Sequence, residues 1–218
     1  MSGADKADVP SKRAPKDHDV RHTPEDLALI HSILDATPLC SVGYVSDGRP
    51  FVIPCMQWRV GDSVYWHGSS TSRVLASPRR DVCLSISLTD GLVMSRSSFN
   101  YRLNHRSVTI IGKPKEVSDI DDKVALLRSF INGLIPGQWD RLKPLSLLQM
   151  RATKVVTIPI RDAIVEIRTG QPDDDEDRDF PAWGGVVPIS TQVGVPIEDP
   201  SNRPGIEMPE DVLRFRLG

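Results

Sequence analysis

The part of this sequence best suited to binding an anion is residues 65–75, which read YWHGSSTSRVL. A β-type run ends at His67, and a hydroxyl-rich turn with Ser69 and Ser72 leads to Arg73 and a short helical pattern. Free backbone N–H groups at a helix start, serine hydroxyls and a guanidinium together form a site that suits a phosphate. The same pattern is typical of a Ser/Thr N-cap beside a surface arginine, so these residues alone leave both interpretations open.

Other reaction chemistries lack a recognisable pattern. The histidines have no ligand spacing with cysteines or carboxylates, so no metal site is expected. The three cysteines, Cys40, Cys55 and Cys83, lie far apart on strand-like runs, where cysteine acts as a small hydrophobic residue. Their odd number and the lack of a Cys-x-x-Cys motif suit a reducing cytoplasm. The sequence contains no Gly-x-Ser-x-Gly elbow, Walker P-loop or Gly-x-Gly-x-x-Gly fingerprint.

Composition excludes several classes of partner. The 218 residues carry a formal net charge of −2, which gives no general electrostatic reason to bind nucleic acid or anionic lipid. No apolar run approaches the roughly 18–20 residues of a membrane-spanning helix, and the N-terminus lacks the apolar core of a secretory signal. We therefore expect a cytoplasmic protein without nucleic-acid or membrane partners.

Hydrophobic periodicity predicts a mainly β (α+β) fold. Thr23-Pro24-Glu25-Asp26 is typical of a helix start, and a helix that ends near Pro38 should follow. Further helical patterns cover about 119–133 and 145–150. The connectors 46–49 and 60–62 look like hairpin turns. Short β-type runs are predicted at 39–45, 51–58, 63–67, 82–88, 92–98, 107–111, 155–160 and 163–168. Consecutive short strands with few intervening helices indicate an antiparallel sheet closed into a small barrel.

The chain divides into three parts. Residues 1–20 have almost no large apolar side chain, so we expect a disordered arm. Residues 21–170 would form the barrel domain. Residues 171–218 begin with an acidic run, expected to be a solvated loop, and continue as a Pro- and Gly-rich extension. This extension is too apolar to be free, so it should pack on the same barrel or on a second subunit.

Four further stretches extend the pattern of residues 65–75 along the chain. They are TDGLVMSRS at 89–97, NHRSVTIIG at 104–112, RTGQPDDDE at 168–176 and WGGVVP at 183–188. In this order the sequence resembles the pyridoxamine 5′-phosphate oxidase-like flavin-binding split barrels, in the branch that contains nitroimidazole-resistance proteins. The resemblance implies a six-stranded antiparallel Greek-key split barrel with peripheral helices and an extended C-terminal tail. It also implies a homodimer with FMN at the subunit interface.

The resemblance, together with the needs of a flavin, also yields candidate site residues. The 68–73 turn would hold the phosphate, and the strand ends near Pro54–Met56 would border the flavin ring. The cofactor-binding candidates are Pro54, Cys55, Met56, His67, Ser69, Ser72, Arg73, Arg96, Ser97, Asn104, Arg106, Ser107 and Trp183. The resemblance places His67 on the substrate side of the flavin, as the catalytic candidate. The alternative is a structural histidine that hydrogen-bonds the turn.

We therefore expect an FMN-dependent oxidoreductase that acts on a small molecule. Hydride and electron transfer are the cofactor's own chemistry, so no acid–base triad need be visible in the sequence. One alternative is a flavin-binding or flavin-handling protein without turnover of its own. Another is a split barrel of the same superfamily that uses a deazaflavin or haem.

Overall fold

The structure is a computed structural model that describes residues 22–72 and 80–217. The predicted N-terminal arm at 1–20, Arg73 and the helical pattern that follows it lie outside the described residues. Within the described ranges, no helix has the length and apolar character needed to cross a membrane.

The described residues form a nine-stranded antiparallel sheet in the order β6-β7-β3-β2-β1-β4-β5-β8, with β9 paired to β4. The strands are β1 (Leu39–Ser46), β2 (Arg49–Val60), β3 (Ser63–Ser69), β4 (Val82–Met94), β5 (Arg102–Gly112), β6 (Lys115–Glu116), β7 (Thr153–Pro159), β8 (Ala163–Arg168) and β9 (Gly185–Pro188). The predicted antiparallel split barrel is confirmed. The strands outnumber the six expected, partly because the short β6 and β9 add pairings at the margins of the sheet.

The turn between β1 and β2 is the predicted one. Asp47 and Gly48 both have positive φ, 51° and 73°, which is the geometry of a type I′ hairpin turn. The hairpin sets Cys40 opposite Cys55 and Leu39 opposite Met56.

The prediction of two strands at 82–88 and 92–98 is wrong. β4 is one continuous strand whose register shifts between Thr89 and Gly91. A Cβ on Gly91 would lie 3.0 Å from Val186 Cγ1 and 3.1 Å from the Val187 carbonyl oxygen of β9. Glycine is needed here because another strand approaches closely, and not because the chain turns.

The helices are α1 (Pro24–Asp35), α2 (Ile120–Leu134), α3 (Leu147–Ala152) and α4 (Glu210–Leu213). The predicted start of α1 is confirmed by a capping box. The Asp26 N–H donates to Thr23 Oγ1, and the Thr23 N–H donates to the Asp26 carboxylate, each at 3.1 Å.

Two apolar clusters lie on opposite faces of β3. Trp66, which is 1% exposed, belongs to the barrel core with residues such as Val42, Leu84 and Ile110. The second cluster lies under α2 and contains Trp58, Leu127, Phe130, Met150 and Val155. Because successive strand residues point to opposite faces, His67 faces away from the barrel core and packs against Phe130.

The C-terminal extension packs partly on its own barrel. β9 pairs with β4 along residues 91–94, and Arg141 contacts Asp211 of α4 at 3.0 Å. Val195 and Ile197, between these contacts, are 88% and 96% exposed. At β9 the extension therefore pairs with the barrel of its own chain, whereas a contact of the extension with a partner subunit stays a prediction.

Candidate functional site

His67 contributes to the walls of two cavities. It lies near the end of β3, where it is paired across the sheet with Val155 of β7. Pairing with β7 therefore holds its backbone, and Phe130 of α2 packs against its ring.

The larger cavity has a volume of about 560 Å³ and lies between α2 and the segment 139–145. Its size is within the range of roughly 300–1,000 Å³ typical of small-molecule and cofactor sites. Most of its walls are apolar. They comprise Val124, Leu127, Phe130, Ile131, Trp139, Leu142, Pro144 and Leu145, with the polar residues His67, Asp140, Lys143 and Thr153.

The smaller cavity, about 310 Å³, brings together several of the predicted flavin-binding residues. The β2–β3 ladder pairs Gln57 with Trp66, which places the residues of β2 just before Gln57 beside His67. Pro54–Met56 therefore lie in the middle of β2 and not at the strand end that the sequence predicts, because β2 continues to Val60. The walls are formed by Ile53, Pro54, Cys55, Met56, Trp66, His67, Gly68 and Ser72. The predicted grouping of Pro54–Met56 with His67 and Ser72 thus exists within a single chain.

The His67 ring has a free nitrogen that can accept a proton or a hydrogen bond, or bind a metal ion. Its Nδ1 atom is buried and has no hydrogen-bond partner among the described residues. Its ring centroid lies 5.4 Å from that of Phe130 and 5.9 Å from that of Trp58. Burial among these rings lowers the pKa of His67 below its ordinary value, so the imidazole is neutral at neutral pH. A neutral ring keeps a lone pair that can accept a hydrogen bond or bind a cofactor's metal.

The predicted hydroxyl-rich turn is a turn in the structure. The Ser72 N–H donates to the Ser69 carbonyl oxygen at 2.9 Å, and the Thr71 N–H donates to Ser69 Oγ at 3.2 Å. Ser69 Oγ and Thr71 Oγ1 are 2.8 Å apart. Because Arg73 lies outside the described residues, the phosphate site and the N-cap both stay predictions.

Arg96, Ser97 and Trp183 belong to a different region, where the end of β4 meets the C-terminal extension. The Asp174 carboxylate accepts hydrogen bonds from Ser95 Oγ at 2.8 Å, the Arg96 N–H at 2.7 Å and Arg96 Nη1 at 3.1 Å. Led by the Arg96 N–H, these donors lower the pKa of Asp174. Since Asp174 is 6% exposed, the expectation of a fully solvated acidic loop is wrong at this residue.

The two glycines after Trp183 make this region compact. A Cβ on Gly184 would lie 2.9 Å from Arg96 Nη1, and one on Gly185 would lie 2.6 Å from the Trp183 ring. The Trp183 side chain is 64% exposed, and Ser97 Oγ caps a short 3-10 helix at Ser98–Asn100. We call the residues around Asp174, Arg96 and Gly184 the C-terminal anchor.

Asn104, Arg106 and Ser107 lie on β5, which β2, β1 and β4 separate from β3 in the strand order. Asn104 Nδ2 donates to the Gly170 carbonyl oxygen at 3.0 Å. Arg106 makes a two-pronged contact with Asp90, at 2.9 Å and 2.8 Å. A single chain therefore does not bring these β5 residues, or the C-terminal anchor, into the walls of the two cavities that contain His67.

Sequence reasoning missed the larger cavity. Its only sequence signals were the apolar face of α2 and the leucine-rich segment 142–148, which periodicity alone interprets as ordinary packing. Within residues 22–72 and 80–217, no three His, Cys, Asp or Glu side chains are grouped as ligands of a metal ion.

Comparisons with known proteins identify the family. Residues 26–167 match the family model described as pyridoxamine 5′-phosphate oxidase. A search of curated protein sequences gave no significant match.

Solved structures give longer matches. The flavocytochrome Anf3 from Azotobacter vinelandii is 48% identical with a TM-score of 0.85, covering 91% of this chain and 92% of that chain. The FAD and haem binding protein from Mycobacterium smegmatis is 32% identical with a TM-score of 0.80, covering 88% and 95%. A protein described as a 5-nitroimidazole antibiotic resistance protein, from Bacteroides thetaiotaomicron, shares the fold at 22% identity and a TM-score of 0.55, covering 66% and 84%. The family match over residues 26–167 and the two long matches show that this chain belongs to the pyridoxamine 5′-phosphate oxidase-like family of flavin-binding split barrels.

Proposed function

We propose that this protein is a flavin-dependent oxidoreductase that holds a flavin and a haem in the two cavities that share His67. The observation that carries the proposal is this shared wall. The 48% identical relative is named a flavocytochrome, and the 32% identical one a FAD and haem binding protein, which supports the pairing of cofactors.

The residues of the larger cavity fit a haem. An apolar macrocycle suits walls built from side chains such as Leu127, Phe130 and Ile131. A neutral histidine with an unpartnered ring nitrogen is the commonest protein ligand to haem iron, and His67 meets that description. When bound, haem supplies one-electron chemistry. The chain's own contribution is to exclude water with the α2 side chains and to keep the His67 ring neutral and oriented.

The smaller cavity fits part of a flavin. Ile53 and Trp66 give it apolar surface, and the backbone at Pro54–Met56 supplies polar groups for the ring edge. The turn at 69–72 and Arg73 would hold the phosphate. We propose FMN, as the family resemblance implies, with FAD as the second candidate because the Mycobacterium protein carries that cofactor in its name. The mass of the flavin released by denaturation distinguishes the two, and release of FAD would overturn FMN.

The exposed half of β2 supports a homodimer with the flavin at its interface. Val52 is 71% exposed and Met56 43%, and Leu39, opposite Met56, is 57% exposed. Such apolar strand surface beside a cofactor cavity suits a second copy of the chain. Light scattering at micromolar concentration should give the dimer mass, and a monomer mass would overturn this part of the proposal.

The free cysteines Cys40, Cys55 and Cys83 fit a reducing compartment, so we propose that the protein is cytoplasmic.

An absorbance spectrum of the purified protein, before and after addition of haem, tests the function. We expect flavin bands together with a Soret band, and NAD(P)H-dependent reduction of small-molecule acceptors. Flavin bands without a Soret band would overturn the haem part of the proposal and leave a flavoprotein. A protein that binds neither cofactor would overturn the proposal, and binding without turnover would indicate a carrier.

A further inference from the structure

The rim of the larger cavity carries a positively charged side chain that the proposed function has not used. Lys143 lines this cavity and is exposed to solvent. It lies between the 3-10 helix Trp139–Arg141 and α3, directly before Pro144. A residue before proline is restricted to extended backbone, so the position of Lys143 on the rim is sterically limited.

The charges around Lys143 leave it available for an anion. Asp140, the other charged residue of the cavity wall, is held by Arg128 at 2.7 Å. Within the described part of the chain, Lys143 makes no salt bridge of its own. Among the described residues that line the cavity, the charged side chains are therefore Asp140, which Arg128 neutralises, and Lys143, which has no partner of opposite charge.

We infer that Lys143 binds a propionate carboxylate of the haem, an inference that rests on the haem proposed for this cavity. A haem has an apolar macrocycle with two carboxylates at one edge. The cavity has the matching distribution, with apolar walls, a half-buried imidazole at His67 and an exposed ammonium at Lys143. The lysine stem would lie along the apolar wall while its charged end meets the carboxylate at the surface.

Titration of haem-free protein with two porphyrins tests this residue by affinity rather than by turnover. One is haem, and the other is haem dimethyl ester, in which both carboxylates are blocked. The variants are Lys143→Met, which keeps the stem but not the charge, and Lys143→Arg, which restores it. Lys113→Met, an exposed lysine in the β5–β6 connection, is the matched control.

We expect Lys143→Met to weaken haem binding about two- to fivefold, the usual size for an exposed ion pair. Binding of the dimethyl ester should not change, Lys143→Arg should bind haem like the parent, and Lys113→Met should have no effect. Added salt should weaken haem binding by the parent more than by Lys143→Met.

Equal weakening of haem and ester in Lys143→Met would overturn the inference, because the side chain would then only shape the cavity. Unchanged haem affinity would overturn it too, while leaving the haem site intact. A parent protein that takes up neither porphyrin would overturn the haem proposal itself and the inference with it.

Discussion

The region around His67 and the C-terminal anchor both contain buried polar groups, but among the described residues these groups are hydrogen-bonded at the anchor and unpartnered around His67. At the anchor the Asp174 carboxylate accepts three hydrogen bonds, and Arg96 is paired with it. Around His67, the ring Nδ1 and the neighbouring Trp58 Nε1 are buried without a partner among the described residues. A buried polar group without a partner costs free energy, and one that lies beside a cavity can be satisfied by a ligand or a water molecule in that cavity.

This difference indicates that the C-terminal anchor has a structural role, whereas the region around His67 has a ligand-binding role. The anchor residues satisfy one another and hold residues 170–188 on the barrel. In the proposed function, the His67 region is completed by the cofactors that enter its cavities. Arg96, Arg106 and Asn104, which the family resemblance names as cofactor-binding residues, are already paired within this chain, as judged from their contacts.

The largest effect should come from His67→Ala. Removing the imidazole that lines the larger cavity should lower haem affinity at least about 100-fold, equivalent to about 2.7 kcal/mol, while flavin binding persists. The Soret titration measures this. His105→Ala is the control, because His105 is partly exposed on β5 and its ring contacts the Leu103 carbonyl oxygen outside both cavities.

If His67→Ala loses flavin and melting temperature together, the histidine is structural, and the contrast between the two regions disappears. Normal haem uptake by the variant would show that His67 has no role in binding the haem.

The second effect should come from Asp174→Ala at the C-terminal anchor. The change leaves Ser95 Oγ, the Arg96 N–H and the Arg96 guanidinium without their shared acceptor. We expect a lower melting temperature and faster proteolysis within residues 170–188, with porphyrin affinity unchanged. Asp173→Ala is the control, since Asp173 is exposed and lies 3.9 Å from Arg102. A loss of haem binding in Asp174→Ala would show that the anchor also supports the cavity.

A pH dependence should separate the two regions further. Burial lowers the pKa of His67 from its ordinary value of 6.5, so below about pH 6.5 the unfolded chain binds a proton that the folded chain resists. The free energy of unfolding therefore falls as the pH drops through this window, and a protonated ring also loses its lone pair for the haem.

Thermal melts of the haem-free protein between about pH 7.5 and pH 5.5 measure this contribution. The parent should lose more melting temperature than His67→Phe, which has no proton to take up there. Equal losses in both proteins would show that His67 is not the group responsible.

The sequence predicts what depends on neighbouring residues. The helix start at Thr23, the turn at Asp47-Gly48 and the hydroxyl turn after His67 are local, and each forms as expected. The predicted break between residues 88 and 92 is wrong because the close neighbour of Gly91, β9, is distant in the sequence.

The remaining features depend on tertiary contacts. Asp174 looks like any other residue of its acidic run until Ser95 and Arg96 are placed beside it. The larger cavity is formed by β3, α2 and residues 139–145 together, so the pattern of any one segment does not predict it.

The smallest effect, and the sharpest test of the contrast, concerns Arg106. Its contact with Asp90 is partly exposed, so Arg106→Gln should cost only about 0.5 kcal/mol of stability, as for other solvent-screened pairs. If the pair is structural, the flavin stays bound with unchanged affinity, measured by titrating flavin fluorescence. Arg161→Gln is the control, because Arg161 is 81% exposed beside Asp162.

The family resemblance makes the opposite prediction, in which Arg106 contacts the flavin. A tenfold or greater loss of flavin affinity in Arg106→Gln alone would favour it. Since no described residue of β5 lines the smaller cavity within one chain, that loss would also favour a second subunit whose Arg106 reaches the flavin.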